Sequence, residues 1–260
     1  MAAIVGIIVG LVLGLTGAGG SVFAVPLFKY VLGIGTQQAM GLSLGIVGLS
    51  ACFGILARLR SREILWIPGL IFAFIGSLTA PLGIYLNQRS NEHYLLMGFS
   101  MIVLIVALRM FNKSKGSSSE LDSSEILISL NSKNIMAIVL IAALTGVLSG
   151  LFGVGGGFLI VPALVMVLGI RIKNAVATSL LIISIVSASG FLSFISSLNG
   201  TNDLGLFLNL AAGGLVGMLA GTSLSRFLKG SQLEKIFAIL MILMAVIIMG
   251  KTLLNSGFIV

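Results

Sequence analysis

Charge is scarce in this sequence of 260 residues: only 8% are Asp, Glu, Lys or Arg, whereas 58% are hydrophobic. A soluble globular chain carries about 25% charged residues, so this composition excludes a soluble domain. The sequence also has only seven acidic residues, one histidine and one cysteine, Cys52. A single cysteine excludes an internal disulfide and a multi-cysteine metal or cluster site. We expect no metal site and no cofactor.

Long apolar runs make up most of the chain instead. A membrane-spanning helix needs about 20 apolar residues, so the chain is long enough to cross a bilayer up to about ten times, with no room for a soluble catalytic domain. The net charge of +8 does not indicate a nucleic-acid partner, because the basic residues stand at the ends of apolar runs. The N-terminus lacks the basic region of a signal peptide, and we expect it to be retained. The sequence predicts an all-α, multi-pass protein of the cell membrane.

A polar stretch at 112–134 divides the chain into two hydrophobic halves, 1–111 and 135–260. We interpret it as a Ser-rich linker, with a surface helix at 125–130 as the alternative. Each half has five apolar segments, which lie at 2–16, 22–34, 37–57, 64–87 and 94–111, and at 135–151, 158–170, 174–198, 204–227 and 234–254. The first two of each half are short and are joined by a Gly-rich break. They either span the membrane or enter it and return.

The two halves repeat each other. The stretch Gly14–Ile34 aligns without a gap with Gly150–Ile170, a shift of 136 residues, and the same register continues through Gly54 and Gly190. Each half contributes an odd number of crossings, five or three, so the halves are predicted to lie in opposite orientations. Such inverted repeats are typical of secondary transporters, which bind substrate near the midplane where interrupted helices meet.

The basic residues favour one orientation. With the N-terminus outside, twelve of the fifteen face the cytoplasm, as the positive-inside rule requires; the other three are Lys29, Arg89 and Lys251. We therefore expect both termini outside and the central linker in the cytoplasm.

The two Gly-rich stretches, 16–21 and 152–157, are the predicted breaks. A helix that restarts after each break, near Val22 and Phe158, directs backbone N–H groups and its positive dipole end into the loop, which favours an anion. Two such ends from opposite sides suit one small anion. The alternative is that these glycines only permit close helix packing.

The motif G-x-G-G-x-x-x-x-x-P occurs at Gly17–Pro26 and again at Gly153–Pro162, and each copy is followed by a polar turn and an Ala-x-x-x-Ser stretch. These paired motifs resemble the TauE/SafE family of membrane permeases over nearly the whole chain. The resemblance implies a duplicated helical fold that moves small sulfur-containing anions such as sulfite and sulfonates. The family's motif glycines and prolines correspond here to Gly17, Gly19, Gly20 and Pro26, and to Gly153, Gly155, Gly156 and Pro162.

Polar residues beside the breaks complete the candidate substrate site. Hydroxyl and amide groups donate hydrogen bonds to a compact oxyanion, and the candidates are Ser21, Gln37, Ser43, Asn174, Thr178 and Ser179, together with Gly157 at the end of the second Gly-rich stretch. The alternative for each hydroxyl is a hydrogen bond to a carbonyl one turn earlier. The first copy has Leu42 where the second has Thr178.

Three basic residues are candidates for attracting the anion. Lys29 lies inside an apolar segment, where a charge is a functional candidate, but it is also near enough to the outer boundary to extend to the headgroups. Arg171 and Lys173 either form a basic vestibule or serve as ordinary anchors on the cytoplasmic side.

The acidic residues all fall in loops or at segment ends, which argues against a buried carboxylate relay. An intramembrane enzyme needs a nucleophile with a base, or two acids, at one depth, so we do not expect an enzyme. Export suits an anion, because each negative charge that leaves the cell gains about 2.3 kcal/mol per 100 mV.

The sequence thus predicts a secondary transporter that exports sulfite or organosulfonates by alternating access around two Gly-broken helices. The alternatives are an anion channel and an importer of a different small anion, and proton coupling stays open. The expected partners are the substrate anion and the lipid bilayer, and a homodimer is compatible with this composition.

Overall fold

The computed structural model describes residues 1–61, 63–89, 92–113, 132–152, 157–166, 168–195 and 201–255. Within these ranges the chain is helical and has no strand. The first half contains α1 (Ala2–Thr16), α2 (Gly19–Val31), α3 (Thr36–Arg58), α4 (Trp66–Arg89) and α5 (Glu92–Lys113), and the second contains α6 (Ser132–Phe152), α7 (Gly157–Met166), α8 (Ile172–Ile195), α9 (Thr201–Phe227) and α10 (Gly230–Asn255). The all-α prediction is confirmed, with five helices in each half. The predicted surface helix at 125–130 lies outside the described residues.

Among the described residues, five helices are long and apolar enough to cross a membrane, at Gln38–Arg58, Trp66–Gly83, Ile172–Leu192, Gly205–Phe227 and Gly230–Gly250. The helix that follows each break is shorter: α2 has 13 residues and α7 has 10. At 1.5 Å per residue they extend about 20 and 15 Å, less than the ~30 Å hydrocarbon core. These two helices are too short to cross the core, whereas α6, before the second break, has 21 residues, about the length of a full crossing.

The outer surface of the bundle is apolar, as a lipid-facing surface must be. Leu70, Phe74, Leu78 and Leu82 recur every four residues along one face of α4, and all are exposed. Four-residue spacing places side chains on the same helix face. Because such a long exposed apolar stripe is not stable in water, the chain is a multi-pass membrane protein.

The two halves interlock through their first and fourth helices: α1 packs on α9, and α6 packs on α4. Glycines of α1 meet α9 in the same chain order, Gly6 against Leu210, Gly10 against Gly214 and Gly14 against Met218. The two helices therefore run parallel and in close backbone contact. Small residues permit such close approach between membrane helices.

The third helices of the two halves, α3 and α8, pack against each other at the centre. A Cβ atom at Gly54 would lie 3.1 Å from Leu180 Cδ1, and one at Gly190 would lie 3.0 Å from Leu44 Cδ1. Shifting Gly54 and Leu44 by 136 residues gives Gly190 and Leu180, so each contact is the counterpart of the other. Because these contacts join opposite ends, α3 and α8 are antiparallel.

Candidate functional site: a buried glycine break between the halves

The break between α1 and α2 forms at Gly17, which ends α1 with a positive φ of 72°. Its N–H donates a hydrogen bond of 2.7 Å to the Leu13 carbonyl, the usual way to satisfy a carbonyl at a helix C-terminus. Glycine adopts this left-handed backbone without the cost that other residues pay. The chain restarts as a helix at Gly19, three residues before the predicted restart at Val22.

Ser179 of α8 brings the second half onto this break. Its hydroxyl lies 3.0 Å from the Gly17 carbonyl oxygen and 2.8 Å from the Val176 carbonyl oxygen, within donating distance of both. A Cβ atom at Gly17 would lie 2.7 Å from Ser179 Oγ. The absence of a side chain at Gly17 is therefore what lets the two halves touch here.

Thr178 fixes a third element to the same place. Its hydroxyl oxygen accepts a hydrogen bond of 3.0 Å from the N–H of Leu65, the residue before α4 begins. The N–H groups of a helix's first turn need partners outside the helix, and Thr178 supplies one just ahead of that turn. The predicted Thr178–Ser179 pair thus joins the start of α8 to the first break and to α4.

Ser21 and Ser43 use their hydroxyl protons locally. Ser21 donates to the Ala18 carbonyl at 2.8 Å and Ser43 donates to the Met40 carbonyl at 2.8 Å. A serine hydroxyl has one proton to donate, so back-bonding describes both residues in this conformation. Contact with an anion through either hydroxyl requires that proton to turn away from the carbonyl.

Ser43 and Ser179 are counterparts in the repeat, but they lie at different levels. Leu180 packs at the level of Gly54, and Gly54 is eleven residues beyond Ser43 on α3, about 16 Å at 1.5 Å per residue. A single small anion does not reach both serines in this conformation.

The remaining predicted residues are placed unequally. Gly153, Gly155 and Gly156 lie outside the described residues, and Gly157 is the first residue of α7. Gln37 is the second residue of α3, and Asn174, the third residue of α8, is buried.

The first break is closed to solvent. Thr16, Ser21, Thr178 and Ser179 are all at least 99% buried. Hydroxyl and peptide groups enclosed in this way offer neutral hydrogen-bonding partners at low dielectric, where each hydrogen bond is electrostatically stronger than in water.

The three basic residues predicted to attract the anion lie at the ends of helices. Lys29 Nζ is 5.9 Å from the centroid of the Tyr30 ring near the end of α2, a distance typical of a cation–π contact. Arg171 is exposed just before α8, and Lys173 is half-buried on its first turn. This position of Lys29 favours its extension toward the headgroups.

A small pocket with room for about one water molecule lies between α4, α6, α7 and α8, and sequence reasoning did not find it. Its lining residues are Phe72, Gly76, Thr145, Gly146, Ser149, Ile160, Ile182 and Val186. The Thr145 hydroxyl lies 2.8 Å from the carbonyl oxygen of Ile141. The pocket is bounded mainly by apolar groups, so we do not assign the anion to it.

Arg58 is a charged residue whose burial the sequence did not predict. It is one of the twelve basic residues predicted to face the cytoplasm from loops, whereas the structure makes it the last residue of α3 with its side chain only 5% exposed. It binds Glu63, Ser225 and the Gly14 carbonyl. Since these partners come from α1, α9 and the loop before α4, no local pattern signals the burial.

Comparison with known proteins places this architecture in a family. The family described as "Sulfite exporter TauE/SafE" matches residues 2–248, which include both halves and both glycine breaks. The chain belongs to the TauE/SafE family. The resemblance of the paired glycine–proline motifs is thereby confirmed.

Individual TauE/SafE relatives agree in length with this chain. It is 31% identical over 252 residues to a "Probable membrane transporter protein" of Xylella fastidiosa (strain Temecula1), with 94% of this chain and 92% of the relative covered. It is 28% identical to "Probable membrane transporter protein YunE" of Bacillus subtilis, with coverage of 92% and 93%. A "Probable membrane transporter protein" of Haemophilus influenzae is 26% identical, with coverage of 94% and 95%. No solved structure matches the chain.

Proposed function

We propose that this protein is a secondary transporter that exports small sulfur-containing oxyanions such as sulfite or organosulfonates. The observation that carries the proposal is the buried contact between Gly17 and Ser179, which lies within the TauE/SafE match and joins a broken helix of one half to the other half. The family's name supplies the substrate class. The relatives' names support transport rather than catalysis.

The packing of equivalent helices supports alternating access. α3 and α8 correspond in the repeat and pack antiparallel. A twofold axis that relates the two halves therefore runs perpendicular to these two helices. For helices that cross the bilayer, that axis lies in the membrane plane, and the halves have inverted orientations. Exchanging the conformations of the two halves then turns a site that faces one side into a site that faces the other.

The membrane potential supports export of an anion. With both termini outside and the central linker in the cytoplasm, the break at Gly17 lies nearer the cytoplasmic ends of α3 and α9, because Gly14 packs on Met218 and contacts Arg58. An anion released outward gains about 2.3 kcal/mol per charge per 100 mV of membrane potential. At equal anion concentrations on the two sides, the potential therefore drives export.

Charge movement in proteoliposomes tests this function. Sulfite, thiosulfate, sulfate, an alkyl sulfonate, sulfoacetate or chloride is added rapidly to vesicles that contain purified protein, with protein-free vesicles as the control. A saturable current for sulfite or a sulfonate, with none for chloride, is the expected result. A current that rises linearly with every anion, including chloride, indicates a channel and contradicts the proposal.

A further inference from the structure

Arg58 forms a buried hydrogen-bonded network at the end of α3. Nη1 donates to Glu63 Oε2 at 3.0 Å, and Nη2 donates to Ser225 Oγ at 2.6 Å and to the Gly14 carbonyl oxygen at 3.3 Å. The Nε atom is buried and has no hydrogen-bond partner among the described residues. These contacts use three of the five N–H donors of the guanidinium.

The burial and hydrogen bonding of Arg58 differ from those of an ordinary arginine anchor on the cytoplasmic side. Anchoring arginines keep their charged end in water, and a buried charge is unfavourable unless it is fully paired. The repeat does not require the charge either, because the counterparts of Arg58 and Glu63 in the second half are Phe194 and Asn199. The buried arginine is thus a feature of one half and of one side of the bundle.

Glu63 is the partner that is able to leave. Its side chain is 28% exposed, against 5% for Arg58, and it lies in the connection between α3 and α4. Arg226 lies beside this pair, since it follows Ser225 and donates to the Ala57 carbonyl at 2.8 Å. Two guanidinium groups and one carboxylate give the cluster a net positive charge, which attracts a further anion.

We propose that Arg58 is a binding residue for the substrate oxyanion on the cytoplasmic side, and that the Glu63 carboxylate occupies its place until the anion arrives. This inference rests on the proposed function. The oxygens of a sulfite or sulfonate replace the carboxylate as acceptors at Nη1, and a second oxygen also accepts from the Nη1 N–H that the Glu63 contact leaves unused. Arginine suits this role because its planar fork binds oxyanions through two parallel hydrogen bonds.

The same network connects the anion to the glycine break. Nη2 holds the carbonyl of Gly14, which lies three residues before Gly17 on α1. A change in the position of the Arg58 side chain therefore acts on the end of α1 where the break begins. Anion binding at Arg58 precedes entry into the site that Gly17 and Ser179 close.

Trp66 makes the exchange observable. It is the single tryptophan of the chain, it lies three residues after Glu63, and it is half-exposed. The experiment titrates sulfite into purified protein and follows Trp66 fluorescence, with chloride at equal ionic strength as the blank. The same variants are assayed for sulfite-driven current.

Glu63 competes with the anion for Arg58, so replacing Glu63 strengthens anion binding. Replacing the Arg58 guanidinium weakens anion binding. We expect E63Q to lower the Kd for sulfite and Arg58→Lys to raise it, each by about ten-fold, the effect of one charge-assisted hydrogen bond. Arg109→Gln, which removes an exposed charge from α5, is the matched control and leaves the Kd unchanged.

The outcomes separate this inference from the proposed function. A wild-type protein that carries sulfite current while E63Q and Arg58→Lys bind sulfite like wild type overturns the role of Arg58 alone. A wild-type protein with neither current nor binding overturns the proposed function and this inference with it. Glu63 is partly exposed and glutamine has its shape, so E63Q keeps the test decisive even if Arg58→Lys does not fold.

Discussion

The Ser179 hydroxyl lies 3.0 Å from the carbonyl oxygen of Gly17, although the two residues are 162 positions apart and belong to different halves. Gly17 has no side chain to separate them, and both sides of the contact are buried. In a transporter that alternates between two conformations, a contact of this kind is made in one state and broken in another.

Ser179→Ala is expected to weaken the apparent affinity for the oxyanion more than the maximal rate. The substitution removes one hydroxyl donor, an effect of about 1 kcal/mol or five-fold in KM. The matched control is Ser184→Ala on the same helix, because Ser184 is also buried and donates to a carbonyl three residues earlier. Sulfite-dependent currents give both parameters, and an equal KM in the two variants counts against direct contact by Ser179.

Gly17→Ala is expected to abolish transport and to lower the melting temperature. Alanine in the left-handed region costs about 1–2 kcal/mol, and here its Cβ would also overlap Ser179 Oγ and the Val176 carbonyl. Gly33→Ala isolates the steric effect, since Gly33 has a φ of 69° but nothing within 4 Å of the added atom. If both variants lose the same stability and activity, close approach at Gly17 is not what matters.

Gly35 and Arg171 test the inverted topology, because they are counterparts in the repeat and directly precede α3 and α8. Both are exposed, and Gly35 has open space around it. In a Cys52→Ser background, Gly35→Cys is expected to react with an impermeant maleimide only from outside the cell. Arg171→Cys is expected to react only after the cytoplasmic face is opened. Labelling of both from the same side contradicts the inverted repeat.

The helices were predictable because each apolar segment is bounded by glycine, proline or charge. The predicted segment at 37–57 corresponds to α3 at Thr36–Arg58, and the predicted segment at 2–16 corresponds to α1 at Ala2–Thr16. The restart of α2 at Gly19 was missed by three residues. Two adjacent glycines suggest a loop by propensity, but Gly20 is packed against Leu13 and Val9, and this packing outweighs the propensity.

The residues of the site were predictable from the sequence, but their hydrogen-bond partners were not. The motif identifies Gly17, Ser21 and Ser179, yet only the folded chain shows that Ser21 donates to its own turn while Ser179 lies within donating distance of both Val176 in its own turn and Gly17 in the other half. Arg58 was missed for the same reason. Its burial depends on Gly14 and Ser225, which are 44 and 167 residues away, and an arginine at a helix end otherwise indicates a membrane anchor.

Counterflow of labelled sulfite is the most direct test of the central claim, that the protein carries a sulfur oxyanion by alternating access. Proteoliposomes are loaded with unlabelled sulfite, diluted into a trace of radiolabelled sulfite with the membrane potential clamped at zero, and sampled over time. We predict a transient accumulation of label above its outside concentration, and none in vesicles loaded with chloride or containing Gly17→Ala. Label that enters only to equality, or enters equally with chloride inside, contradicts alternating access by this protein.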